Sequence, residues 1–223
     1  FLQALLENYP AGLIKAYTEG EFCNLTTGQV YDRFDREKHV TSEMPDVSKD
    51  IIRIGIDFNI GNMSAVIGVV QKGELFIFDE ISGENDTDSL AKEIKRRFPH
   101  STIYGYPDAS GGARSTNAAK TDIQILDQYN IRNMSGPSNP YVRDRVASVQ
   151  ALLENGKGEV RFHISPKCEK LIECLELQSY TEKGEPDKEA GYDHLNDCLG
   201  YLVWREFNPL HMNSGRRTGI RLY

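Results

Sequence analysis

The sequence predicts an α/β fold on a mixed sheet, and three observations carry it. An antiparallel meander of apolar strands spans residues 51–81, a helical pattern follows and ends in a short strand, and helical and strand-like segments alternate from there to about residue 207. Ile51 to Phe58 opens the meander. Ile52, Ile54, Ile56 and Phe58 fall on one face and Arg53, Gly55 and Asp57 on the other, so Asp57 leaves the strand opposite its apolar side. A turn over Asn59 to Met63 leads to a second strand, Ala65 to Val70, which Lys72-Gly73 reverses into a third, Leu75 to Ile81. Asp86 or Thr87 then caps a helix carrying Leu90, Ala91, Ile94 and Phe98 at helical spacing. Thr102 to Tyr106 is a fourth strand, and a crossover helix before it sets a strand parallel to an earlier one.

Helical patterns near 117–129, 140–154 and 166–178 follow, with strand-like pieces at Ile131 to Met134 and Glu159 to Ile164. Val142, Val146, Val149 and Leu153 form the stripe of the second helix, and Ser165-Pro166 reads as the N-cap and first residue of the third. Glu182 to Ala190 is a polar loop or hairpin, and a last helix runs from about 191 to 207. Three antiparallel strands, a helix, a strand parallel to the first and later α/β units is the ribonuclease H-like order.

The chain has 223 residues, enough for one ordinary α/β domain with appendages. No apolar run approaches the roughly 20 residues of a membrane span, and the expected compartment is cytoplasmic. Cys23, Cys168, Cys174 and Cys198 are scattered without a Cys-x-x-Cys pair, which fits buried thiols better than zinc or disulfides. The net charge of −7 argues against a broad phosphate-binding surface. That objection weakens where the acids hold metal and another domain grips the ligand. Residues 1–48 read as a connector, and the opening Phe1 as the start of an excised piece.

In the predicted order the first and fourth strands are neighbours, about 4.8 Å apart. Asp57 ends one and Asp108 follows the other, so their carboxylates can converge. Placed at roughly 100° steps, the last helix gathers Tyr192, Leu195, Leu199, Leu202 and Val203 on one side. Asp193, His194, Asp197, Gly200, Tyr201 and Trp204 share the other, with Gly200 leaving space. Hard divalent cations take such oxygen ligands, and two ions sharing a few carboxylates can hydrolyse a phosphodiester. His194 suits a ligand or a proton carrier, and Asp193 a supporting acid. Each residue alone also fits a plainer role: Asp57 and Asp108 as turn starters, Asp197, Asp193 and His194 as solvated helix residues.

These residues resemble a known family. Gly55-Ile56-Asp57-Phe58, then Tyr106-Pro107-Asp108-Ala109-Ser110-Gly111-Gly112, then Asp193-His194 through Asp197 to Tyr201 are similar to the C-terminal nuclease domain of tailed-phage terminase large subunits. Glu19-Gly20-Glu21-Phe22 and Gly28 to Phe34 resemble that family's linker from the packaging ATPase. The resemblance implies a connector at 1–48, a nuclease domain at 49–209 and a basic tail at 210–223 carrying Arg216, Arg217 and Arg221. It implies cutting of concatemeric double-stranded DNA during packaging in the host cytoplasm, with Mg²⁺ or Mn²⁺, two ions, on Asp57, Asp108 and Asp197, and with His194 assisting. Portal protein and small terminase subunit are the implied partners, and the isolated domain is expected to be monomeric. Without a Gly-x-x-x-x-Gly-Lys-Ser/Thr loop, no ATPase activity is expected. Arg114, Lys120, Arg143 and Arg145 are candidate DNA contacts or ordinary solvated charges. The rivals are an actin-like or sugar-kinase ATPase lobe, for which Gly55 to Asn62 speaks, another ribonuclease H-like nuclease such as a junction resolvase, and a non-catalytic binding module.

Overall fold

The computed structural model of the chain describes residues 6, 28–48, 50–59, 61–112 and 120–207. These include strands β1 (Ile52–Asp57), β2 (Met63–Gln71), β3 (Glu74–Glu84), β4 (Ile103–Pro107), β5 (Ile131–Asn133) and β6 (Phe162–Ile164). They include helices α1 (Arg36–His39), α2 (Thr87–Arg97), α3 (Asp122–Gln128), α4 (Val142–Leu153), α5 (Glu169–Leu177) and α6 (Asp193–Phe207). The strands form one sheet in the order β5-β4-β1-β2-β3-β6. β1 to β3 are the antiparallel meander, while β4 runs parallel to β1, β5 to β4, and β6 to β3. This is the mixed ribonuclease H-like sheet flanked by helices that the order of elements predicts.

Helices cover both faces. Ile52, Ile54 and Ile56 of β1 meet Leu90, Ala91 and Ile94 of α2 and Leu126 of α3 on one side. Val66, Leu75 and Ile77 meet α4, α5 and α6 on the other. β2 is buried on both faces for most of its length, which is why it reads as a continuous apolar run instead of an alternating one. Asp86 is the cap of α2, its carboxylate accepting from Ser89 N at 2.8 Å, and Thr87 is buried behind it.

Several boundaries and one stripe differ from expectation, the helix expected near 117–129 being Asp122–Gln128. The helix expected to open at Ser165-Pro166 begins at Glu169, and its first amides are satisfied from across the sheet: Glu80 accepts from Lys170 N at 3.0 Å and Leu171 N at 2.8 Å. Ser165-Pro166 forms the turn before it. The strand expected over 159–164 is only Phe162–Ile164. On α4 the buried stripe is Val146, Val149, Leu152 and Leu153, whereas Val142 is exposed.

Residues 28–48, part of the expected connector, are built into this body. Val30 and Tyr31 are buried, Gln150 donates to Val30 O at 2.9 Å and to Asp32 at 2.6 Å, and Val40 bridges Ile164 in parallel, covering the outer edge of β6. Cys168, Cys174 and Cys198 are free and buried. Among the described residues no helix is long and apolar enough to cross a membrane. Most of residues 1–27, Cys23 included, and Arg114 and the basic tail lie outside the described residues.

Candidate functional site

Helix α6 crosses the face of β1 that lacks isoleucines. Two residues of strand advance about 6.7 Å and four residues of helix about 6 Å, so the helix contacts of Asp57 and Gly55 fall one turn apart, while the long side chain of Arg53 reaches two turns beyond Cys198. Arg53 Nε lies 3.1 Å from Glu206, Gly55 lies against Cys198, and His194 Nδ1 is 3.1 Å from Asp57 Oδ2. Asn59 Nδ2 stands 3.1 Å from Nε2 and 3.4 Å from Nδ1 of His194, so the imidazole touches both Asp57 and Asn59.

The neighbouring strand delivers Asp108. Ile56 pairs with Pro107, and Asp108 N donates to Ile56 O at 3.0 Å. Its carboxylate is held by Asn139 Nδ2 at 2.7 Å, Ser110 N at 2.6 Å and the Tyr201 hydroxyl at 3.0 Å. Asp197 accepts from Arg145 Nη2 at 2.8 Å on one oxygen, while Lys188 Nζ lies 3.7 Å from the other. Lys188 comes from the 182–190 segment, and an open groove of about 570 Å³ lies between that segment and Val142.

These surroundings push the three acids apart. Burial, reinforced by the charges of Asp197 and Asp108 and opposed by His194, raises the Asp57 carboxyl to about 6. Burial also raises Asp197, against the pull of Arg145 and Lys188. Asp108 is half-buried, which works the other way, yet its bonds from Asn139, Ser110 and Tyr201 hold it below the usual carboxylate value.

The structure thus brings Asp57, Asp108, Asp197 and His194 to one end of the β1/β4 pair. Asp193 is nearly buried beside them, with Oδ1 3.9 Å from His194 Nε2 and hydrogen-bonded to nothing among the described residues. The basic candidates part company. Arg145 is 4% exposed and committed to Asp197, so it is not the solvated charge its place on α4 suggested. The space that Gly200 leaves is taken by the Arg145 stem: a Cβ there would meet Arg145 Cβ at 3.3 Å and Cδ at 3.4 Å. Arg143 is exposed beside Asp144, and Lys120 donates to Gln128 at 3.0 Å. Sequence reasoning passed over Asn59, Asn139 and Lys188, which sit in loops whose periodicity carries no signal. Helix α6 is also buried on more sides than its expected two-faced pattern allows, Tyr201, Cys198 and Asp193 all being inside.

As to metal, among the described residues no three His, Cys, Asp or Glu side chains already stand in a metal-holding arrangement. Each aspartate instead accepts from protein donors. The donor set still fits a hard cation: the ligand atoms are carboxylate oxygens, mutual repulsion helps hold Asp57 near 6, and Asp193 Oδ1 is buried without a hydrogen bond.

A ribonuclease H-like sheet with acids at the ends of its first and fourth strands and on its last helix defines a class of nucleic-acid-processing domains. Within that class, the model of the Terminase RNaseH-like domain family matches residues 54–206, and the chain belongs to that family. The large terminase of a thermophilic bacteriophage, solved in complex with ADP, is similar over 91% of this chain and 50% of that one, at 16% identity and a TM-score of 0.71. The present chain thus spans about half that protein's length. The P22 large terminase nuclease domain is similar over 85% of this chain and 98% of that one, at 14% identity and a TM-score of 0.64. For the nuclease of thermophilic phage G20c with bound magnesium the figures are 79%, 96%, 16% and 0.56. A nuclease domain from bacteriophage SPP1 was solved with bound Mn, covering 78% of this chain and 97% of that one, at 16% identity and a TM-score of 0.53. No curated protein sequence matches the chain.

Proposed function

We propose that the chain is a metal-dependent endonuclease that cuts concatemeric double-stranded viral DNA during genome packaging, by two-ion phosphodiester hydrolysis. The observation that carries the proposal is the meeting of Asp57, Asp108 and Asp197 with His194 at one end of adjacent strands. Asp57, Asp108 and Asp197 would hold the ions, in keeping with the magnesium and manganese bound to the G20c and SPP1 nucleases. The bound metal supplies an activated water and a stabilised leaving oxygen. The chain's own residues prepare the rest. Asn139, Ser110 and Tyr201 keep Asp108 ionised and aimed, Arg145 holds one oxygen of Asp197, and His194, against Asp57 and Asn59, is placed to pass a proton. Arg143 and Lys120 are exposed enough to meet phosphates. Double-stranded DNA is the substrate, and the portal protein and small terminase subunit are the partners at the procapsid in the host cytoplasm. The ATPase is assigned to a separate domain, with residues before 48 leading to it.

The test is supercoiled plasmid incubated with Mg²⁺ or Mn²⁺ and the chain or its Asp57→Asn, Asp108→Asn and Asp197→Asn forms, folding being checked by circular dichroism. Loss of a group merely supporting a ligand costs about 10–100-fold, so loss of a ligand should cost more than about 100-fold. Cleavage that persists in chelator, or in all three variants, overturns the proposal.

A further inference from the structure

Resting on that reading and deepening it, we infer that Arg145 and Tyr201 form a brace that fixes two of the three carboxylates, with Arg145 as a positioning residue. Arg145 Nη2 bonds Asp197 Oδ1 at 2.8 Å, and its guanidinium carbon lies 4.3 Å from the centre of the Tyr201 ring. The hydroxyl of that same ring donates to Asp108 Oδ2 at 3.0 Å. One buried cation therefore reaches Asp197 directly and Asp108 through an aromatic plane. The two aspartates come from different elements, Asp197 from α6 and Asp108 from the end of β4, and the brace spans them.

An arginine with 4% exposure stands against a large desolvation cost, which is tolerated only where its hydrogen bonds and charge are matched. Here the backbone is shaped for it. Gly200, one residue before Tyr201, leaves the slot in which the Arg145 stem lies, a Cβ there falling 3.3 Å from Arg145 Cβ. A planar guanidinium can lie against a ring while its edge bonds a carboxylate; an ammonium has no such plane. The brace uses only Oδ1 of Asp197. Oδ2 faces exposed Lys188 and stays available to an ion. Groups that orient metal ligands in this way raise affinity by fixing the ligand before the ion arrives.

The test is Mn²⁺ binding, read by electron paramagnetic resonance of the free ion and by the metal-induced rise in Tm, on wild type, Arg145→Lys, Tyr201→Phe and Asp57→Asn. Arg145→Lys keeps the charge beside Asp197, and Tyr201→Phe keeps the ring under the guanidinium. Both are expected to bind Mn²⁺ about 10-fold or more weakly, with Tyr201→Phe melting within a few degrees of wild type when metal-free. Lysine is not expected to rescue arginine. Should Arg145→Lys fail to fold, Tyr201→Phe decides alone. Wild-type or tighter Mn²⁺ binding by the folded variants overturns the brace while leaving the metal site intact. A wild type that binds no Mn²⁺, or an Asp57→Asn protein that binds it equally well, overturns the metal site and the brace with it.

Discussion

The carbonyl oxygen of Cys198 lies 1.9 Å from the point where a β-carbon on Gly55 would stand. Only hydrogen fits there, and this contact seats α6 on β1 with His194 over Asp57. Gly55→Ala is therefore expected to push the helix off the strand and cost about 3 kcal/mol or more, the upper end of overpacking effects. Denaturant unfolding measures it. A variant as stable as wild type would mean that the helix is free to ride outward.

Asp57 makes the metal-free protein's stability depend on pH. Its carboxyl rises from 3.8 to about 6 on folding, first through burial and then through Asp197. With the folded value above the unfolded one, its contribution is complete below about 3.8 and is lost as pH rises through about 6. Above that, ionised Asp57 destabilises by on the order of 2–3 kcal/mol. In chelator, Asp57→Asn should melt about 5–10 °C above wild type at pH 8 and gain nothing at pH 4. An equal gain at both pH values would contradict the assignment.

Lys188 is a loosely held cation, 61% exposed and 3.7 Å from Asp197 Oδ2. On the proposed reading it would compete with a metal for that oxygen. Lys188→Ala should leave Tm nearly unchanged and tighten Mn²⁺ binding about two- to fivefold, the range of an exposed pair. Weaker binding, measured by calorimetry, would show instead that the lysine supports the site.

Glu80 closes the amino end of α5 from the facing strand, taking the amides of Lys170 and Leu171. Glu80→Ala removes this cap and should cost about 1–2 kcal/mol. Hydrogen exchange should speed in the first turn of α5. Unchanged exchange there would mean that the turn at Ser165-Pro166 is cap enough.

Much of the fold is legible in the sequence because local chemistry and tertiary burial agree. The isoleucines of β1 alternate, Asp86 caps α2, and Lys72-Gly73 takes positive φ at the hairpin. The convergence of Asp57, Asp108 and Asp197 is legible because each sits at an element end or a fixed helical angle. Arg145 cannot. Its position on α4 looks solvated until Gly200 of a distant helix supplies the slot. Asn139 is hidden for a related reason, since a loop residue's partner is set by where the loop lands. Helix α5 starts later than its local signals suggest: Ser165 takes the amide of Lys167 in the turn, and Glu80, about 90 residues earlier, takes those of Lys170 and Leu171 in the helix.

The most direct test of the proposed metal site is anomalous diffraction from a crystal soaked in Mn²⁺. Manganese peaks bound by Asp57, Asp108 and Asp197 together are expected, with Arg145 still on Asp197 Oδ1. Manganese absent from these three residues, or bound only elsewhere on the chain, would contradict a shared metal centre.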